Sequence, residues 1–496
     1  MYKFDKNILT IFCVLLCLLI VIRPVKSFSQ DTFATSYKDS TVNYIELQGF
    51  GSSTSRTPFW IQANQYGVVP KSSPVGSVRG GLEKFYNLDE NNLWRVGGGL
   101  EAVGNFTRQG SKILLPQAYG SLRFRNWELY IGRKKQSIGL ADSTLGTGSY
   151  AWSNNAMPIP RIFVGTRGFV NIPYTKGWLS FNAFYSEGLF ESGRPVTSHL
   201  KLHQKMFYAR LGKATSRVKF YGGFNHQVQW GGYSPYNTVD GKMPTGFANY
   251  INVILGKAHS KNNGINDETG RVGNHLGSID LALEIETYAA SIFLYRQNIY
   301  EDGSLIWLSN IKDGLNGIRI QRKNSYGANF EITAAVFEFL YTKNQGGDTA
   351  DWNKPSYARG KDDYFNNGQV HDGWSYYDRA IGTPFIPPTS DTYPNWPKYS
   401  DFFTSNNRVS VFHIGLRGTL YQKVNWTSKF SYSNNSGTYD VPFNGSPTQF
   451  SGLIALQTKV NLLGGTLLKG SLAADIGDLY PKNYGFTLGL RKEFSF

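Results

Sequence analysis

Tyr484-Gly485-Phe486-Thr487-Leu488-Gly489-Leu490-Arg491-Lys492-Glu493-Phe494-Ser495-Phe496 ends the chain. Taken at every second residue, Tyr484, Phe486, Leu488, Leu490, Phe494 and Phe496 form one apolar series, broken only by Lys492. Thr487, Gly489, Arg491, Glu493 and Ser495 form the other. A strand places alternate side chains on opposite faces, so this segment offers one face to lipid and one to a polar interior. That is the pattern of a membrane-spanning barrel strand.

The same period recurs upstream. Ile279, Leu281, Leu283 and Ile285 alternate with Asp280, Ala282, Glu284 and Glu286, and Ala118, Gly120, Leu122 and Phe124 with Tyr119, Ser121, Arg123 and Arg125. Leu179, Phe181, Ala183 and Tyr185 alternate with Ser180 and Asn182, and Val424, Trp426, Ser428, Phe430 and Tyr432 with Asn425, Thr427, Lys429 and Ser431. The polar faces carry both signs of charge, which argues against a simple anion or cation filter. Only alternate residues need be apolar, so mean hydropathy stays low at -0.33, while 31 Tyr, 33 Phe and 11 Trp suit the aromatic belts of a lipid interface. A soluble sandwich also alternates, but it keeps its aromatics mostly inside.

The N-terminus reads as a secretory signal over residues 1–29. Met1-Tyr2-Lys3-Phe4-Asp5-Lys6 precedes an apolar run from Ile8 to Ile22, then Pro24 and Ser27-Phe28-Ser29-Gln30. The run is shorter than the roughly 20 residues that a spanning helix needs. Cys13 and Cys17 both lie inside it, so the mature chain has no thiol chemistry. Residues 30–496 read as one all-β domain, a transmembrane antiparallel β-barrel of the cell outer membrane. At ~9–11 residues per strand plus turns, a mature chain of roughly 465 residues accommodates ~16–18 strands, an even number on closure. The last strand, ending on Phe496, resembles the signal by which barrel-assembly machinery recognises its clients. The stretch 346–407, with Trp352, Tyr357, Trp396 and prolines 384, 387 and 388, is too irregular to span. It reads as a large loop, outside the cell or folded into the lumen.

Catalytic signals are missing. His199 and His203 stand where a strand begins, no His-Glu-x-x-His pair or Gly-x-Ser-x-Gly elbow occurs, and Gly97-Gly98-Gly99 follows Trp94 in strand-like sequence. The chain is read as a non-enzyme with no catalytic residue, metal or cofactor. Its net charge of +16 belongs to an exported protein, which sets nucleic acid aside. Basic groups such as Arg133-Lys134-Lys135 suit lipopolysaccharide phosphates at the rim or an acidic polysaccharide.

An ordered set of short motifs runs along the chain: Leu115-Pro116-Gln117-Ala118-Tyr119-Gly120, Trp127-Glu128-Leu129-Tyr130-Ile131-Gly132-Arg133-Lys134, Trp152-Ser153-Asn154-Asn155-Ala156 and Pro158-Ile159-Pro160-Arg161. There follow His226-Gln227-Val228-Gln229-Trp230-Gly231-Gly232, Asn274-His275-Leu276-Gly277-Ser278, Tyr295-Arg296-Gln297 with Glu301-Asp302-Gly303, Asp313-Gly314-Leu315, and Asn406-Asn407-Arg408-Val409. Together they resemble the Wzi family of capsule-assembly outer-membrane proteins over nearly the whole mature chain. The resemblance implies an 18-stranded monomeric barrel that acts as a lectin, tethering exported capsular polysaccharide to the cell. The sequence departs from enterobacterial members in having only Asp31 to Ser40 before strand-like sequence, with no helical leader to match their periplasmic bundle.

A lectin without metal sets aromatic faces against sugar C–H surfaces and polar groups against hydroxyls, weak contacts multiplied along a polymer. The large loop holds that mixture in Asp362, Asp363, Tyr364, Asn366, Asn367, His371, Asp372, Trp374, Tyr376 and Tyr377. Tyr364, Asn366, Asn367, Asp372, Trp374, Tyr376 and Tyr377 are the candidate glycan contacts, although outer-membrane loops are generally rich in such residues. Trp230 is expected in the interface belt. Two rivals fit the same barrel: a porin-like passive channel, and an outer-membrane hydrolase that would depend on an essential Ser or His.

Overall fold

The computed structural model describes residues 43–257, 271–301, 304–350 and 360–494; the expected signal peptide, Asp302-Gly303 and the terminal Phe496 lie outside the described residues. The strands are β1 (Asn43–Ser52), β2 (Val75–Asn87), β3 (Trp94–Thr107), β4 (Gly110–Phe124), β5 (Trp127–Arg133), β6 (Arg161–Thr166), β7 (Val170–Asn171), β8 (Leu179–Leu189), β9 (Lys201–Leu211) and β10 (Val218–Trp230). They continue with β11 (Asn274–Glu286), β12 (Ala290–Glu301), β13 (Gly314–Arg322), β14 (Phe330–Tyr341), β15 (Val409–Leu420), β16 (Val424–Asn435), β17 (Thr448–Val460), β18 (Thr466–Gly477) and β19 (Asn483–Phe494). Each pairs antiparallel with its sequence neighbours, except that β6 and β7 both pair with β8 and share one position, giving a wall of 18 strands. The wall closes through β1, where Gly49 lies opposite Leu488 of β19 and Gly76 of β2. Closure removes the sheet edges that lipid would leave without hydrogen bonds.

Alternation sorts the side chains as the sequence implies. Phe486 and Leu488 face outward and Thr487 inward; Ile279 and Leu281 face outward while Asp280 and Glu284 are buried in the lumen. Many of the lumenal charges are paired. Arg123 and Lys134 contact Glu128 at 3.0 and 2.7 Å, Lys219 contacts Glu284 at 3.0 Å, and Arg319 contacts Asp142 at 3.2 Å. Ions removed from water in this way need partners to offset their lost hydration.

The two ends of the barrel differ. Short turns such as 125–126 and 421–423 lie at the end where β1 begins and β19 finishes, whereas connections 53–74, 134–160, 231–273 and 342–408 lie at the other. Short turns mark the periplasmic end of such barrels and long loops the extracellular end. An 18-strand wall is too wide for its own side chains to fill, and here the loops fill the extracellular half. Helix α1 (Phe59–Gln62) and loop residues Tyr150, Trp152, Phe365 and Trp374 are all buried in one apolar cluster. The irregular stretch 346–407 thus folds into the barrel mouth over its described residues.

Trp230, expected in the interface belt, is covered by protein instead. Helix α2 (Phe247–Leu255) crosses the outer wall, and Tyr250 covers the indole at a ring-centroid distance of 5.3 Å. Val253 packs beside it against Val228 and Val272.

Candidate functional site

The mouth is closed by three loops that hold one another. Trp374 donates its indole N–H to the Ala151 carbonyl at 2.6 Å, and its ring meets Trp152 and Phe190 edge-on. Backbone bonds from Ser153 N to Ile381 O and from Thr383 N to Tyr150 O, both 2.9 Å, tie the same two loops together. Glu301, at the top of β12, accepts from Tyr150 Oη at 2.7 Å and from Phe365 N at 3.1 Å.

Tyr364 is buried and donates its hydroxyl to Asp313 at 2.8 Å, while Asn310 donates to that hydroxyl at 3.0 Å. Asp313 also accepts from Asn344 N and Gln345 N at 2.9 and 2.7 Å. Burial outweighs these donors and pushes its carboxyl up to about 6. Asn366 exchanges hydrogen bonds with the Thr404 backbone, its amide donating to the carbonyl and its oxygen accepting from the N–H, both at 3.0 Å. Half-buried Asn367 accepts from Gln369 N and Val370 N, which shapes a turn. Asp372 accepts from Val196 N, Thr197 N, Thr197 Oγ1 and Arg194 Nε, at 3.0, 2.7, 2.6 and 3.3 Å. Tyr376 accepts from Arg133 at 2.9 Å.

The seven sequence candidates therefore share one loop but not one surface. Tyr364, Asn366, Asp372, Trp374 and Tyr376 are buried, Asn367 is half-buried, and Tyr377 is 42% exposed. The first five form the framework of the plug. Tyr377 lies on the rim, its ring 5.8 Å from the Lys112 ammonium and 5.9 Å from the Arg133 guanidinium. These three line a rim groove of about 440 Å³ together with Leu114, Met157 and Pro160. An aromatic ring between two cations is suited to a sugar that carries a negative charge.

A second outward feature was not legible in the sequence. Tyr236, His371, Phe402 and Tyr399 stack in series, with centroids 3.7, 4.1 and 4.6 Å apart and planes within 25° of parallel. Asp401 clamps the first two, accepting from Tyr236 Oη at 2.6 Å and pairing with His371 Nδ1 at 2.8 Å. Burial would raise the Asp401 carboxyl, but these two bonds hold it below the usual carboxylate range. Tyr399 donates to Asp440 at 3.0 Å. Tyr236 and Asp401 are 165 residues apart, and only His371 stood out beforehand. The inner rings cover one another's faces and show their edges, beside the acceptors Asp401 and Asp440, which match sugar hydroxyls. Among the described residues, no group of three His, Asp or Glu is placed to hold a metal ion.

The sequence profile of the family described as capsule assembly protein Wzi matches residues 54–412. Among solved structures the chain is similar to Wzi of Escherichia coli, an outer-membrane protein involved in group 1 capsule assembly and a carbohydrate-binding β-barrel. The identity is 15% and the TM-score 0.58, over 91% of this chain and 85% of that one. It is also similar to OccK3 (OpdO) of Pseudomonas aeruginosa, at 9% identity and TM-score 0.44 over 92% and 97% of the two chains. For OccAB4 of Acinetobacter baumannii the figures are 10%, 0.44, 94% and 99%. No curated protein sequence matches the chain. With the profile spanning well over half its length and the 18-strand wall closed, the chain is an outer-membrane β-barrel that belongs to the Wzi family of capsule assembly proteins.

Proposed function

We propose that this protein takes part in capsule assembly as a lectin, holding a capsular or other surface polysaccharide at its extracellular face. The observation that carries the reading is the closed mouth: with Trp374 fully buried between loops, the outer end presents a surface to a polymer. The rim groove at Tyr377 and the Tyr236–Tyr399 stack are the proposed contacts, with the buried candidates setting their positions. Each contact is weak alone, and a repeating polymer multiplies them. The protein acts as a monomer in this reading, inserted by barrel-assembly machinery among lipopolysaccharide, and catalyses no reaction.

The test compares cells that lack the protein with their parent, staining capsule on washed cells and assaying the same polymer in the medium. Tethering predicts that polymer moves from cell to medium at unchanged total. Unchanged attachment would overturn the lectin reading and leave the channel, which stable conductance in planar bilayers would reveal.

A further inference from the structure

Beneath the plug, on the periplasmic side, the lumen holds a cavity of about 470 Å³, within the ~300–1,000 Å³ of ordinary ligand sites. Its roof is the underside of the plug, where Trp60, Ile61 and Val69 are buried. The inward-facing Arg417 and Asn425 are exposed, so water reaches the cavity from the short-turn end.

The polar groups here differ from the paired charges elsewhere in the lumen. Glu46 is neutralised by Lys469 at 2.8 Å and Arg491 at 3.5 Å. Arg79 has no carboxylate within ion-pair distance among the described residues, and its Nε is buried without a hydrogen-bond partner. Arg417 donates to Thr144 Oγ1 at 3.0 Å and likewise meets no carboxylate among them. The side chains of Gln48, Gln65, Asn425 and Gln457, which also line the cavity, make no hydrogen bond to the described residues. Arg79 stands opposite Glu46 in the strand register and shares that single carboxylate with Lys469 and Arg491, and Arg417 adds a further guanidinium, so an excess of positive charge and four open amides converge on one space. Arg79 on β2 and Arg417 on β15 come from the two ends of the arc of wall that lines it, β15 through β19 and then β1 and β2.

We infer that this chamber is a second saccharide site, open to the periplasm, that takes an anionic oligosaccharide of the uronic-acid class. The guanidinium groups receive carboxylates on separate sugar units and the amides receive hydroxyls. Arginine pairs with carboxylate through parallel N–H donors, and an amide both donates to and accepts from a hydroxyl. The site lies on the opposite side of the plug from the proposed polymer-holding face and does not depend on it.

The test is calorimetric titration of the full mature protein in detergent with trigalacturonate, with maltotriose as the neutral control. Saturable binding of trigalacturonate is expected, with maltotriose at least tenfold weaker. Raising salt from 50 to 500 mM and the double substitution Arg79→Gln/Arg417→Gln should each weaken the acidic ligand at least tenfold. Asn425→Asp, at an exposed position with no hydrogen bond to lose, should do the same by placing a carboxylate in the chamber, and it guards against a misfolded arginine variant. Equal binding of the two trisaccharides, absent binding, or binding untouched by Asn425→Asp would each overturn the inference. Capsule retention on cells reads the outer face alone, so failure of either proposal is seen separately.

Discussion

Replacing Trp374 by alanine should open the barrel mouth without unfolding the wall. The side chain is fully buried, donates to Ala151 O at 2.6 Å, and packs on Trp152 and Phe190. Removing a buried tryptophan to alanine costs about 3–5 kcal/mol, including the cavity left behind. The wall strands keep their complete ladders, so this loss falls on docking of loop 342–408 against loop 134–160. At tenfold per ~1.4 kcal/mol, the undocked population rises roughly 10²- to 4 × 10³-fold. Hydrogen exchange at Ser153 N and Thr383 N, which bond across the two loops, should accelerate by that factor while wall amides stay protected. In planar bilayers the native protein should be silent and the variant should flicker open. Unchanged exchange at these two amides, or steady native conductance, would refute the plug as the closing element.

Other consequences concern single contacts. Asp372→Ala leaves two backbone N–H groups and the Thr197 hydroxyl without their acceptor and removes one of the two carboxylates that face the buried Arg194. It should cost ~3–5 kcal/mol of local stability, read as chymotryptic cleavage after the normally buried Phe190. Asp313 keeps its proton up to about pH 6 when folded, against ~3.9 for a free aspartate. Between those values the folded state binds more protons than the unfolded one, so plug stability should fall as pH rises through that window and stay low above it. Near-UV circular dichroism melts at pH 4.5 and 7 should show this difference, and Asp313→Asn should flatten it. Tyr236→Ala combined with Tyr399→Ala should lower polymer retention several-fold while leaving the amount of folded barrel, measured by heat-modifiable migration, unchanged.

The wall was legible because its signal is local. Tyr484 to Phe494 carries a period of two within a single strand, and Ile279 to Glu286 does the same within β11. The plug was not legible, because its contacts join distant segments: Trp374 and Ala151 are 223 residues apart, Asp372 and Thr197 are 175 apart. Loop 346–407 was recognised by its irregularity, but nothing local says which way a tryptophan in it turns. Trp230 was misplaced for a related reason. Its position on β10 faces outward, as a belt residue would, and only the fold reveals that α2 covers it.

The same geometry explains why aromatic, amide-rich loop sequence points only partly to sugar contacts. A wall of 18 strands encloses more space than its inward side chains can occupy, so any closed mouth must receive a core from its loops. That core needs large apolar rings, such as Phe59, Trp60, Tyr150, Phe365 and Trp374. It also needs amides and acids to satisfy the irregular backbone carried inside with them, as Asn366 does for Thr404 and Asp372 for Val196 and Thr197. A glycan surface calls for the same residue types for a different reason, to meet C–H faces and hydroxyls. Composition cannot separate the two uses, and orientation can: within loop 346–407, Trp374 closes the protein while Tyr377, three residues on, faces outward between Lys112 and Arg133. Substitutions that look equivalent in sequence should therefore divide into those that loosen the plug and those that release polymer from an intact one.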